Sequence, residues 1–298
     1  MAADLENPVL VYDVGGSHVS AAICHGGAFR LGPVASAPHP ANETSDDFID
    51  LLYQLGIKAS SGSNGLAGAE LAVPGPFDFA AGISRMRHKL PYLYGIDLRE
   101  KIAERFAWQP CQVRFLLDSA AFLLGEIGAG EARGVPRAVG ITLGTGIGSA
   151  FAIDGHIVTE GHGVPPGGEI WNLPYEGGIV EDFLSTRAIQ RGYKLRTGAL
   201  PNVARIAADS ANDPDAAAVF ADFGRHLGIA LRMKLTEFAP DVVVIGGGIS
   251  RSAHLFLPEA MSELAGLKMQ LRVAKLLDHA ALAGAGVAWF DGAKSKVM

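Results

Sequence analysis

The 298-residue chain has only two cysteines, Cys24 and Cys111. That excludes a disulfide framework and a four-cysteine zinc site. Basic charge is also short: 25 Lys and Arg against 31 Asp and Glu leave a formal net charge of −6. No global attraction therefore draws the chain to nucleic acid or to an anionic membrane, and the densest basic stretch, Arg85 to Lys89, does not offset that. No apolar run approaches the ~18 residues of a spanning helix. The opening segment MAADLENPVL is acidic and lacks the apolar centre of a secretory leader. These absences predict a cytoplasmic protein with neither a membrane nor a nucleic-acid partner. A first strand by about Val9 leaves no length before it for a DNA-binding module.

Glycine, by contrast, is plentiful at 38 residues, while hydrophobic residues make up 49% and charged residues 19%. Such a composition is globular, and the length allows one large domain or two of moderate size. Two glycine clusters lie within apolar runs, VLVYDVGGSHVSAAIC (Val9 to Cys24) and RAVGITLGTGIGSAFAI (Arg137 to Ile153). β-Branched residues around the glycines predict a strand, a tight turn and a returning strand in each. Glycine lets backbone N–H groups approach an oxyanion, and Ser17 and Thr145 add hydroxyl donors. Each hairpin reads as a grip for phosphate.

Apolar periodicity predicts helices over Thr44–Ala59, Ile96–Ala107, the segment after Asp118, Val180–Leu195, about Pro214–Phe238, and His279–Ala293. Strands are expected over Ala69–Asp78, running into a Pro-Gly-Pro turn, over Cys111–Asp118, and over Asp241–Ser250, which ends in three glycines. Loops are expected at Ser60–Gly65 and Gly161–Gly178. Alternating strands and helices indicate a mixed α/β fold. Two halves, each opening on a phosphate hairpin, suggest an old duplication with a cleft between lobes.

Several side chains suit phosphoryl transfer. Asp13 ends the first strand beside Gly15 and Gly16, where a carboxylate can hold Mg²⁺ through water or close an Asx-turn. Gly144, Thr145 and Gly146 carry the stronger phosphate signal. The segment is neither a Walker motif nor a dinucleotide turn, because SAFAI continues it as a strand. Gly246, Gly247 and Gly248 could lie flat against a nucleobase or simply turn a strand into a helix. Asp118 falls at the end of a strand and the start of a helix, where α/β folds place ligands. The helix N-terminus favours its ionised form, so it can accept a proton from an alcohol as a phosphoryl group arrives; capping its own helix is the alternative. Glu169, Asn172 and Glu181, in or beside the Gly- and Pro-rich loop, suit sugar hydroxyls; a solvated loop has the same composition. His18 and Lys89 are undetermined by these arguments.

In order along nearly the whole chain, these segments resemble the ROK family (repressors, open reading frames and kinases) of the actin-like ATPase superfamily. DVGGS at Asp13 to Ser17 is similar to its first phosphate motif, VPGPFDFAAG at Val73 to Gly82 to its Pro-Gly-Pro signature, and LGTGIGS at Leu143 to Ser149 to its second phosphate motif. VVVIGGGIS resembles the adenosine motif, Asp118 falls at the catalytic aspartate, and Glu169 and Glu181 match two sugar-binding glutamates. The resemblance implies an α/β fold of two actin-like (ribonuclease H-like) lobes with an interlobe cleft. One lobe would comprise residues 1–118 plus about 280–298, the other 119–279. It implies an ATP- and Mg²⁺-dependent kinase for a hexose hydroxyl, foremost the 6-hydroxyl of glucose, working as a homodimer. Asp118 would be the base, and Lys89, Glu169, Asn172 and Glu181 would hold the sugar. Gly15, Gly16, Ser17, His18, Gly144, Thr145, Gly146, Gly246, Gly247 and Gly248 would hold the nucleotide, with Asp13 organising the metal.

The departures from the family pattern concern the acceptor. Leu117 stands where an Asn commonly precedes the catalytic Asp, Lys89 where a sugar-contacting Asn stands, and His18 where a Lys follows the first motif. The usual Glu-x-Gly-His becomes Glu169-Ile170-Trp171-Asn172, and the cysteine-rich zinc segment is missing, so no structural zinc is expected. Another acceptor therefore stays open: mannose, fructose, an N-acylhexosamine or an amino sugar. So does a non-enzymatic, sugar-responsive regulator.

Overall fold

The computed structural model describes residues 7–26, 30–40, 44–60 and 65–294, so most of the Ser60–Gly65 loop lies outside the described residues. The chain divides into two compact units: residues up to Gly130 with those from Asp278 onward, and Glu131–Leu277.

In the first unit, β1 (Val9–Val14) and β2 (His18–His25) form the first glycine hairpin, with Val14 opposite Val19. β2 also pairs with β3 (Arg30–Leu31) and β4 (Ala35–Pro38). Helix α1 (Ser45–Ala59) follows, its first turn capped by the Thr44 hydroxyl accepting from Asp47 N–H. β5 (Ala69–Val73) then lies parallel to β1. The Pro-Gly-Pro turn leads into a short hairpin, β6 (Phe77–Asp78) and β7 (Ile83–Ser84), and then α2 (Leu98–Phe106). β8 (Val113–Leu117) closes the sheet parallel to β5 and passes directly into α3 (Asp118–Ala129).

Period-two alternation explains why β1 is buried on both faces. Leu10, Tyr12 and Val14 pack with Phe48 and Leu52 of α1, and the Tyr12 hydroxyl donates to the Leu52 carbonyl at 2.8 Å. Val9 and Val11 pack on Leu282, Ala285 and Phe290 of the C-terminal helix, Ala280–Lys294. Each such side chain contributes about 1.5–3 kcal/mol by leaving water. The C-terminal helix also presses on α3: a Cβ at Gly284 would lie 1.7 Å from the Ala121 carbonyl oxygen, and one at Gly125 2.0 Å from that of Ala280.

The second unit repeats the scheme. β9 (Arg137–Leu143) and β10 (Ile147–Ile153) form the second hairpin, with β11 (His156–Val158) on the edge. A small hairpin of β12 (Pro174–Tyr175) and β13 (Gly178–Ile179) precedes α4 (Thr186–Thr197), α5 (Val203–Asp209) and α6 (Pro214–Leu235). β14 (Val242–Gly246), α7 (Ala253–Glu263) and β15 (Gln270–Val273) complete it. Both sheets run in the same order: an antiparallel edge strand, the hairpin, then two parallel strands.

Several boundaries differ from expectation. The helix foreseen from Val180 begins only at Thr186, because Val180–Asp182 forms a 3-10 turn and the Ser185 hydroxyl caps α4 by accepting from Ala188 N–H at 3.3 Å. Glu181 therefore sits on that turn and not on a helix. The Asp241 strand spans Val242–Gly246, and a 3-10 turn, Gly248–Ser252, replaces its expected end. The helix after Asp118 belongs to the first unit.

Candidate active site

The first hairpin turn is set by Gly15 N–H donating to the His18 carbonyl at 3.0 Å, which leaves Gly16, Ser17 and His18 exposed. The Ser17 hydroxyl lies 3.0 Å from His18 Nδ1. His39 holds the turn from outside: its backbone N–H donates to the Ser17 carbonyl at 3.2 Å, and Nε2 donates to the Gly15 carbonyl at 2.8 Å. A carbonyl only accepts, so Nε2 carries the proton, and in the neutral ring Nδ1 is the acceptor for the Tyr92 hydroxyl at 3.3 Å. Tyr92 follows the exposed Lys89 closely in sequence, so the Lys89 segment is tied to the first hairpin turn. Nothing in the sequence around His39 marks it, since its partners lie 24 and 53 positions away.

Asp118 is the first residue of α3, and its Oδ1 accepts from Ser119 N–H at 2.7 Å. The cap position is Leu117, which offers no side-chain hydrogen bond. Asp13 ends β1 within electrostatic reach of Asp118. Burial first, then Asp118 and Asp278, push the Asp13 carboxyl up to about 7. Asp278, on the turn before the C-terminal helix, carries no sequence signal. A carboxyl raised by burial and like-charged neighbours is one that a divalent cation relieves. Asp13 thus fits Mg²⁺ held by one or two carboxylates plus water and phosphate. Among the described residues no group of three His, Cys, Asp or Glu is arranged to hold a metal.

In the second unit, Gly144 N–H donates to the Gly146 carbonyl at 2.9 Å, and the Gly144 carbonyl accepts from the backbone and hydroxyl of Thr186 at 2.8 and 2.9 Å. The hairpin is thereby tied to the first turn of α4. Thr145 is exposed at its tip, and a Cβ at Gly144 would meet nothing within 4 Å, so there is space beside the turn for a ligand. The three glycines Gly246–Gly248 at the end of β14 are adjacent to this hairpin. Gly247 has φ +81°, and a Cβ there would lie 2.4 Å from the Leu143 carbonyl oxygen at the end of β9. Only glycine fits that approach. Gly248 is open. The space beside Gly144 and Gly248 has room for a nucleotide's phosphates and adenosine.

Ser149, buried on β10, joins the hairpin to the Gly- and Pro-rich loop after β11: its hydroxyl donates to the Gly168 carbonyl at 2.7 Å and accepts from Ile170 N–H at 3.0 Å. Glu169 is held between those two contacts and accepts from the Trp171 indole at Oε2, 3.2 Å away. Glu181 N–H donates to the Trp171 carbonyl at 3.0 Å. Its carboxylate accepts from Ile147 N–H at 3.3 Å and pairs with Arg187 at 3.5 Å. A Cβ at Gly146 would lie 2.0 Å from Glu181 Oε2, so Glu181 rests directly on the second glycine hairpin. Asn172 is exposed beside Trp171. The second unit thus brings Glu169, Asn172, Glu181, Gly144–Gly146 and Gly246–Gly248 into one neighbourhood. The first unit does the same for Asp13, Gly15–His18 and Asp118.

The ROK family profile matches residues 9–291. Glucokinase of Thermotoga maritima is 31% identical over 209 residues, 61% of this chain and 64% of that protein. N-acetyl-D-glucosamine kinase of Yersinia enterocolitica is 28% identical over 186 residues, 55% of this chain and 60% of that protein. The matches thus span less than two thirds of the length of these relatives. The ROK hexokinase structure from Thermus thermophilus superposes with a TM-score of 0.79 at 26% identity, covering 97% of this chain and 99% of that one. The fold is accordingly the α/β fold of two actin-like lobes.

Proposed function

The chain belongs to the ROK family, and from that premise we propose that it is an ATP- and Mg²⁺-dependent sugar kinase whose acceptor is the 6-hydroxyl of glucose. The observation that supports this most is Asp118, at the head of α3 and electrostatically coupled to Asp13 at the end of the first phosphate hairpin. Bound Mg-ATP would supply the phosphoryl group and neutralise its developing charge. Asp118 accepts the hydroxyl proton, and the Ser119 N–H on Oδ1 orients the carboxylate for that transfer. Ser17 and the backbone N–H groups of Gly16 and Gly146 grip phosphate oxygens, with Thr145 and His18 beside them and Gly15 and Gly144 closing the two turns. Gly246, Gly247 and Gly248 border the adenosine. Lys89, Glu169, Asn172 and Glu181 hold the sugar, and the functional assembly is a homodimer.

The Yersinia relative favours one other acceptor, an N-acylated hexosamine. Coupled measurement of ADP release with Mg-ATP across hexoses and hexosamines tests both. Release with glucose supports the main reading, and release only with the N-acylated sugar selects the second. Absence of release with every sugar overturns both and leaves a sugar-responsive regulator.

A further inference from the structure

The kinase mechanism leaves one conspicuous side chain unused. Trp171 follows Glu169 by two residues and bonds to both Glu169 and Glu181. Its indole N–H donates to Glu169 Oε2 at 3.2 Å, and its carbonyl accepts from Glu181 N–H at 3.0 Å. Yet 36% of the residue stays exposed, so the core does not take up its whole surface. The other two tryptophans have their rings engaged: Trp108 stacks on Phe106 at 4.4 Å, and Trp289 lies under the Arg114 guanidinium at 3.9 Å.

An N–H donates in the plane of its ring, so Glu169 lies at the indole's edge and the ring faces are not spent on that bond. A carboxylate at the edge of an exposed aromatic ring presents two chemistries side by side, a strong acceptor for hydroxyls and an apolar surface. A pyranose matches both, with hydroxyls around its rim and C–H groups on its faces. The match is best when every ring substituent is equatorial, because an axial hydroxyl interrupts the C–H face. Fructose in its furanose form offers no such face.

We propose that Trp171 is a specificity-determining residue of the acceptor site, and that its indole packs on the C–H face of an all-equatorial hexopyranose whose hydroxyls Glu169 accepts. The inference rests on the sugar-kinase reading for its acceptor, but binding tests it without catalysis. Intrinsic fluorescence is titrated with glucose, mannose and fructose in the absence of nucleotide, in wild type and in Trp171→Phe and Trp171→Leu. Glucose should change wild-type emission more than mannose does, and fructose least. The response should be lost in both variants, since the Trp289 ring is buried and the half-buried Trp108 ring is stacked on Phe106. Titration calorimetry should show glucose binding weakened about three- to tenfold in Trp171→Leu and less in Trp171→Phe, which keeps an aromatic face. With Mg-ATP, the loss should fall on KM for glucose more than on kcat. Unchanged glucose binding in Trp171→Leu, or equal weakening for all three sugars, would overturn the inference. A fluorescence response without ADP release would instead refute the kinase reading and leave the role of Trp171 standing.

Discussion

His226, half-buried on α6, shares a hydrogen bond of 2.8 Å between Nδ1 and the Tyr175 hydroxyl. The pair pins the β12–β13 hairpin, which lies between Asn172 and Glu181 in sequence, to a core helix. Burial pushes the His226 ring below its ordinary pKa, so the fold favours the neutral ring. Its contribution to stability is therefore complete above roughly pH 6.5 and is lost as the pH falls through the lower folded value. Thermal denaturation from about pH 7 to about pH 5 should show wild type losing more stability than His226→Gln. Parallel curves would contradict this. At this scale the sequence marked Asp118, because a strand pattern changes to a helix pattern at that residue. It could not mark His39 or Ser149, whose importance lies in bonds to carbonyls far along the chain. Trp171 was visible as a departure from Glu-x-Gly-His, but its position between two carboxylates was not.

Elements are positioned by close approaches that a side chain would block. The N-terminus of α3, which carries Asp118, is fixed by the crossing of α3 and the C-terminal helix at Gly125 and Gly284. The second unit crosses α6 on α7 in the same manner, with a Cβ at Gly224 falling 2.1 Å from the Phe256 carbonyl oxygen. Gly284→Ala should cost about 3 kcal/mol, because the obstacle is backbone and cannot rotate away. Denaturant unfolding measures it, and a cost under about 1 kcal/mol would show that the helices can separate. The small residues of the last helix were legible as a pattern, but which glycines face a partner was not. Short elements were the least legible: α5 is seven residues long, too short for its apolar spacing to establish a period. The 3-10 turn at Val180–Asp182 blends into the pattern of the helix after it.

For the molecule as a whole, the two glycine hairpins were the most informative text in the chain. Each opens a sheet of the same strand order, and the repeat was readable because β-branched strands and tight turns are local features. The arrangement proposed to hold the acceptor was less readable, since Glu169, Trp171 and Glu181 are assembled by a loop whose course depends on Ser149 and the hairpin beneath it. The assignment of phosphoryl transfer to Asp118 is tested most directly by ADP release with Mg-ATP and glucose, compared between wild type and Asp118→Asn. Turnover should fall about 10²- to 10⁴-fold in the variant, the usual contribution of a general base, with glucose affinity near normal by calorimetry. Turnover in Asp118→Asn close to that of wild type would contradict it.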